Sequence, residues 1–225
     1  MNSKTLRHSV AGPAGAIECA LDSPAGVPLG VAVICHPHPL HGGTMDNKVV
    51  QTLARAYLQL GWQTVRFNFR GIGASEGAWN DGVGEVDDAL AVIAAHRSLE
   101  GQGKGQGKGQ GKGEGPGAFM LAGFSFGAYV ASQAAARLPV PDKPLRLVLV
   151  GPSTQRQVMA NVPADTLVIH GEVDEVVPLS ATLDWARPQS LPVVVFPGVG
   201  HFFHGQLALL KSVVVQHLQP PAEAS

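Results

Sequence analysis

Apolar runs alternate with helical patterns along most of this chain. Residues 30–35 read Gly-Val-Ala-Val-Ile-Cys, the uninterrupted apolar pattern of a strand buried on both faces. Further runs at 62–69, 118–122, 145–150, 166–170 and 192–196 predict strands as well. Between them, residues 47–60 place Val50, Leu53, Ala54, Tyr57 and Leu58 on one face of a helix, with Gly61 to stop it. A second helix, over 81–99, turns Val86, Leu90 and Ile93 to the core. Others are predicted over 128–138, near 180–185, and from about His204 to Leu218. Two short strands, around 4–10 and 16–22, precede this series and are separated by Gly and Pro. Regular strand–helix alternation predicts an α/β fold, with a mostly parallel sheet covered on both faces by helices. In such sheets chemistry collects in the loops beyond the carboxyl ends of the strands.

Two segments break the alternation. Residues 101–115 read GQGKGQGKGQGKGEG, with almost no apolar surface to offset the entropy of ordering them, so a disordered spacer over 101–117 is expected. It joins a helix to the next strand, whereas a phosphate loop joins a strand to the next helix. A weak polycation contact through Lys104, Lys108 and Lys112 is the alternative. The second segment, 36–43, reads HPHPLHGG, and its prolines are expected to keep it out of helix.

Composition narrows the partners. A chain of 225 residues with 45% apolar content suits one soluble domain spanning 1–225. A net charge of −1 gives no electrostatic reason to expect nucleic acid or a charged membrane surface. The first residues lack the apolar core of a signal peptide, and no apolar stretch reaches the roughly 18 residues of a membrane span. Cys19 and Cys35 are too few for a disulfide framework. A cytoplasmic location and no cofactor are the resulting expectations.

The chemistry centres on Gly123-Phe124-Ser125-Phe126-Gly127. A predicted strand leads into it and a small-residue helix leaves it, the context in which G-x-S-x-G forms a nucleophile elbow. Glycine is needed on both sides because a Cβ there would collide with neighbouring chain. A serine hydroxyl needs a base, and the base needs an orienting group. Asp174 lies three residues past Gly171, in the loop after one late strand. His201 lies five residues past another. The order Ser125, Asp174, His201 is that of an α/β-hydrolase triad. Glu172 and Glu175 flank Asp174, and His204 competes with His201, though it is placed at the start of the last helix. For the oxyanion, one backbone donor is expected from Phe126. The second comes from the loop after Cys35, where Pro37 and Pro39 have no N–H and His38 is preferred over Leu40 or His41. His36, His38 and His41 have a spacing that could hold a metal, but no carboxylate or cysteine nearby completes a usual site. These rings are expected to line the pocket or brace the loop, and no metal is expected.

With these residues in place, the chain resembles the α/β-hydrolase superfamily over nearly its whole length. HPHPLHGGTMDNKVV, FNFRGIGASEG, GFSFGA, HGEVDEVVP and GVGHFFHG are similar to a small bacterial group of lidless, single-domain serine hydrolases. The resemblance implies an eight-stranded sheet, esterase-type activity, and Ser125, Asp174 and His201 as the triad. The Gly-Gln-Gly-Lys tract departs from the group's pattern. Dienelactone hydrolases share the layout but carry cysteine at the elbow. Only residues 151–165 separate the strand after the elbow helix from the next, too few for a helical lid. An open, shallow site taking a small-molecule ester with a short or exposed acyl group is therefore expected. A peptidase or acyltransferase with the same triad, a metal hydrolase on the histidine loop, and a non-catalytic binding protein are the alternatives.

Overall fold

The computed structural model describes residues 5–100 and 117–219. The expected 101–117 spacer therefore lies, apart from Gly117, outside the described residues. The strands are β1 (Leu6–Gly12), β2 (Gly15–Asp22), β3 (Val31–Cys35), β4 (Gln63–Phe67), β5 (Phe119–Phe124), β6 (Leu147–Val150), β7 (Leu167–Gly171) and β8 (Val193–Phe196). The α-helices are α1 (Lys48–Gln59), α2 (Val83–Glu100), α3 (Phe126–Arg137), α4 (Leu179–Ala186) and α5 (Leu207–Leu218).

All eight strands form one sheet in the order β1-β2-β4-β3-β5-β6-β7-β8. The β1–β2 and β2–β4 pairs are antiparallel, and every later pair is parallel. The strand pleat divides the central apolar runs between two cores. Val31, Val33, Cys35, Phe119, Leu121, Leu147 and Leu149 face one side, against α2 and α3. Ala32, Ile34, Met120, Ala122, Phe124, Val148 and Val150 face the other, against α1 and α5. That is why these strands lack a polar face: both sides are covered.

Helix α1 shows how local signals set an element's ends. The Asn47 side chain accepts the Val49 N–H at its start, and Gly61 at φ 87° ends it. Two segments differ from the sequence expectation by more than a residue or two at an end. The 36–43 loop contains a short 3-10 turn, Pro39–His41, in which proline occupies the first position and the His38 side chain accepts the Leu40 N–H. Proline excludes helix interiors but fits a first turn, where its missing N–H is not needed. The last helix begins at Leu207 rather than His204, because Phe203 (φ 52°) and Gly205 (φ 74°) both adopt left-handed backbone. No helix among the described residues is long and apolar enough to cross a membrane.

Candidate active site

Ser125 sits between β5 and α3 with φ 57° and ψ −119°, a conformation that costs a non-glycine residue about 1–3 kcal/mol. The surroundings enforce it. A Cβ at Gly123 would lie 2.1 Å from the Gly127 carbonyl oxygen, and one at Gly127 would lie 2.3 Å from the Cys35 carbonyl oxygen. The Ser125 N–H donates to the Val150 carbonyl at 2.9 Å, tying the turn to the end of β6. Although Ser125 is the N-cap residue of α3, its Oγ does not cap that helix. It faces His201 Nε2 at 3.0 Å instead.

The remaining two residues converge on it from separate strand ends. His201 Nδ1 lies 2.7 Å from Asp174 Oδ2. Asp174 Oδ1 accepts the N–H groups of Val176 at 2.9 Å and Val177 at 2.7 Å, fixing the carboxylate on its own turn. Burial alone would raise the Asp174 pKa. Hydrogen bonds from His201 and from the Val177 and Val176 N–H groups outweigh it and hold the carboxyl below its ordinary range, so the group stays ionised. The charge keeps the proton on His201 Nδ1 and leaves Nε2 as an acceptor for the serine hydroxyl.

The competing acids have other tasks. Glu175 Oε2 accepts the His201 N–H at 3.3 Å, and Glu172 Oε2 accepts the Gly198 N–H at 2.8 Å. Both pin the loop that carries the imidazole. Its ring packs against Phe124 at 4.9 Å and edge-on to Phe202 at 5.1 Å. His204 is exposed, lies 5.8 Å from the Phe202 ring in a tilted contact, and is not among the residues that line the cavity at Ser125.

The sequence reading missed His170. It is fully buried behind Asp174, with Nε2 2.9 Å from the Val177 carbonyl and 3.4 Å from Asp174 Oδ2. Its Nδ1 meets Thr182 Oγ1 at 3.2 Å, which in turn meets Thr154 Oγ1 at 3.1 Å. Burial lowers its pKa. Its only sequence signal is a histidine inside an otherwise apolar strand run.

The β3–β5 register pairs Cys35 with Gly123, so the loop after β3 lies beside the elbow. In that loop the Leu40 N–H is taken by His38 Nδ1, the His41 and Gly43 N–H groups by the His38 carbonyl, and the Gly42 N–H by the Pro39 carbonyl. Neither His38 nor Phe126 donates its backbone N–H to any group among the described residues. The two donors expected for an oxyanion are therefore both without partners among the described residues.

His36 braces the loop rather than binding metal. Its Nδ1 donates to the Pro37 carbonyl at 2.6 Å, and its Nε2 accepts the Phe69 N–H at 3.0 Å. Complete burial pushes its pKa down to about 4, and a proton on Nε2 would also face the Phe69 N–H. Above about pH 6.5 the ring is neutral in both folded and unfolded chains, and this contribution is intact. As pH falls towards 4 the unfolded chain takes up a proton that the folded one refuses, so stability is lost, by about 3 kcal/mol in total. Urea unfolding at pH 7 and pH 4.5 should show wild type losing about 2–3 kcal/mol more than His36→Asn. Equal losses in both proteins would refute this role.

Ser125 and His201 form part of the wall of a cavity of about 360 Å³. Pro37, Val176, Val177, Phe126 and Phe202 supply its apolar lining, and His41 and Arg156 lie at 3.5 Å from each other among its polar residues. No carboxylate lines it among the described residues. The site is less open than expected: Ser125 is only 7% exposed and His201 2%. The short 151–165 connection adds no helix, as expected, but side chains from the 36–43 loop and Phe202 wall the serine in.

A nucleophile elbow on a parallel sheet, with a histidine and an aspartate presented from the last two strand ends, defines an α/β serine hydrolase. Residues 23–148 match the family of X-Pro dipeptidyl-peptidases (S15 family), itself an α/β-hydrolase family. An α/β serine hydrolase without lid from Xanthomonas campestris is 34% identical, with a TM-score of 0.84 over 100% of this chain and 98% of its own. An α/β serine hydrolase homologue from Coxiella burnetii is 38% identical, with a TM-score of 0.76 over 97% and 99%. An uncharacterised protein of Rickettsia prowazekii is 28% identical over 205 residues, 85% of this chain and 79% of its own. The chain belongs to the α/β-hydrolase superfamily, among its lidless serine hydrolases.

Proposed function

We propose that the protein hydrolyses carboxylic esters, thioesters included, with short or exposed acyl groups. The observation that carries this reading is the continuous Ser125–His201–Asp174 hydrogen-bond chain at an apolar cavity. Ser125 Oγ attacks the substrate carbonyl while His201 Nε2 takes its proton. Asp174 holds the imidazole tautomer and stabilises the imidazolium. The oxyanion forms towards the N–H groups of Phe126 and His38, and one such donor lowers the barrier by about 3–4 kcal/mol. Collapse expels the alcohol, which takes its proton from His201. Water then enters by the same route and frees the acid and the serine.

The family match also favours a second reading, an X-Pro dipeptidyl-peptidase. The matched span, 23–148, includes Ser125 but stops before Asp174 and His201. A dipeptidyl-peptidase must also hold the free α-ammonium of its substrate, which calls for a carboxylate. Among the described residues the cavity offers Arg156 and no acid, which supports the ester reading.

The test is a comparison of p-nitrophenyl acetate, butyrate and laurate with alanyl-prolyl-p-nitroanilide. The short esters should exceed the laurate in kcat/KM by at least about tenfold, with no turnover of the anilide. Preference for the anilide would establish the peptidase reading instead, and preference for the laurate would refute the short-acyl assignment.

A further inference from the structure

At the edge of the sheet, three potential metal ligands converge that no step of the proposed hydrolysis uses. His8 on β1 and Cys19 on β2 are direct partners in the antiparallel register, so their side chains share one face. Helix α2 packs against that face and brings His96 to it. One ring nitrogen from each histidine and the Cys19 sulfur all lie within 4.8 Å of one another. We propose that His8, Cys19 and His96 form a site for zinc or a similar borderline-soft divalent metal, clamping the β1–β2 hairpin to α2.

The geometry is close to what the ion requires. His8 Nε2 and His96 Nε2 are 3.0 Å apart, whereas two imidazoles on a tetrahedral zinc at about 2.1 Å stand roughly 3.3–3.4 Å apart. A small outward movement of the half-exposed His8 ring provides the difference. His96 is already held as metal-binding imidazoles are held: its Nδ1 donates to the Val92 carbonyl at 2.8 Å, leaving the Nε2 lone pair aimed at the cluster. Cys19 is free, and its sulfur has only a weak contact with the Ile17 carbonyl at 3.7 Å. Among the described residues, the buried His8 Nδ1 has no partner. That nitrogen is free to carry the ring proton, while the two Nε2 atoms and the Cys19 sulfur are the atoms offered to the ion.

The ligand set defines the class of ion. Two imidazoles and a thiol with no carboxylate suit zinc, and exclude the oxygen-seeking magnesium and calcium. On binding, the thiol releases its proton to solvent and His8 moves its proton from Nε2 to Nδ1. Three protein ligands leave a fourth position for water or another small donor. Strand β1 lies four positions from β5 in the sheet order, roughly 19 Å of sheet width. The ion therefore stabilises the hairpin edge and takes no part at Ser125.

The test uses untagged full-length protein stripped with chelator. Zinc titration by calorimetry should show one ion bound per chain. Cobalt in its place should show thiolate-to-metal charge-transfer absorption, and zinc should raise the unfolding temperature. His8→Ala and Cys19→Ala should each weaken binding by about 100-fold or more, while His41→Ala leaves it unchanged. Ester hydrolysis should be the same with and without the metal. The proposal is overturned if no ion binds, if cobalt shows no thiolate band, or if binding is lost in His41→Ala and kept in His8→Ala.

Discussion

Replacing Ser125 with alanine is expected to reduce ester turnover on the order of 10⁶-fold, leaving only what positioning and the oxyanion donors provide. The substitution removes one oxygen, the atom 3.0 Å from His201 Nε2, and keeps the strained φ of 57° that the neighbouring glycines impose. Alanine tolerates that backbone no better and no worse than serine, so the unfolding temperature should be nearly unchanged. A fluorophosphonate probe should label the wild type at this one residue and leave Ser125→Ala unlabelled. Turnover by the alanine variant within about 100-fold of wild type would refute the serine mechanism, since no other hydroxyl meets His201 Nε2 among the described residues.

The path to that serine was largely legible in the sequence, because the features that build it are local. β3, β5, β6 and β7 are buried on both faces, and apart from His170 in β7 their runs have no polar interruption to confuse with a helix. Ser125, Asp174 and His201 each follow a strand end, and a parallel sheet brings consecutive strand ends to one side. Proline placement narrowed the candidates for the proposed second oxyanion donor, and of these the hydrogen bonds of the 36–43 loop leave the His38 N–H without an acceptor among the described residues.

What escaped the sequence reading depends on contacts between distant segments. Glu172 and Glu175 looked like rivals of Asp174, yet they hold the N–H groups of Gly198 and His201, 26 residues on in each case. His36 braces its loop as expected, but the Phe69 N–H it accepts comes from 33 residues away, and His170 escaped because its partners Val177 and Thr182 meet it only once the loop after β7 folds back into α4. The depth of the serine was misjudged for a related reason. Lid length is visible in the chain, but the walls built by Phe202 and the histidine loop arise only once β3 and the last loop stand beside the elbow. The His8–Cys19–His96 cluster likewise joins two hairpin strands to the end of a helix 77 residues beyond Cys19.

Asp174→Asn should separate positioning of the base from the base itself. Asp174 Oδ1 accepts two backbone N–H groups, from Val176 and Val177, and the asparagine carbonyl can take over both. The amide NH₂ then occupies the place of Oδ2, 2.7 Å from His201 Nδ1. A donor there requires an acceptor opposite, so His201 moves its proton to Nε2. That nitrogen can then no longer accept the serine proton, although every heavy atom is where it was. Loss of kcat on the order of 10⁴-fold is the expected result, with KM for a short ester changed little. Fluorophosphonate labelling should slow in parallel, because it needs the same activated hydroxyl. The unfolding temperature should move only slightly near neutral pH, since the turn keeps its two backbone hydrogen bonds. Raising the pH should restore part of the lost rate, as hydroxide in solution takes over removal of the serine proton. Retention of kcat within tenfold of wild type would show that His201 is oriented by another group, and His170, 3.4 Å from Asp174 Oδ2, cannot serve because it does not reach His201 Nδ1 by any hydrogen bond among the described residues.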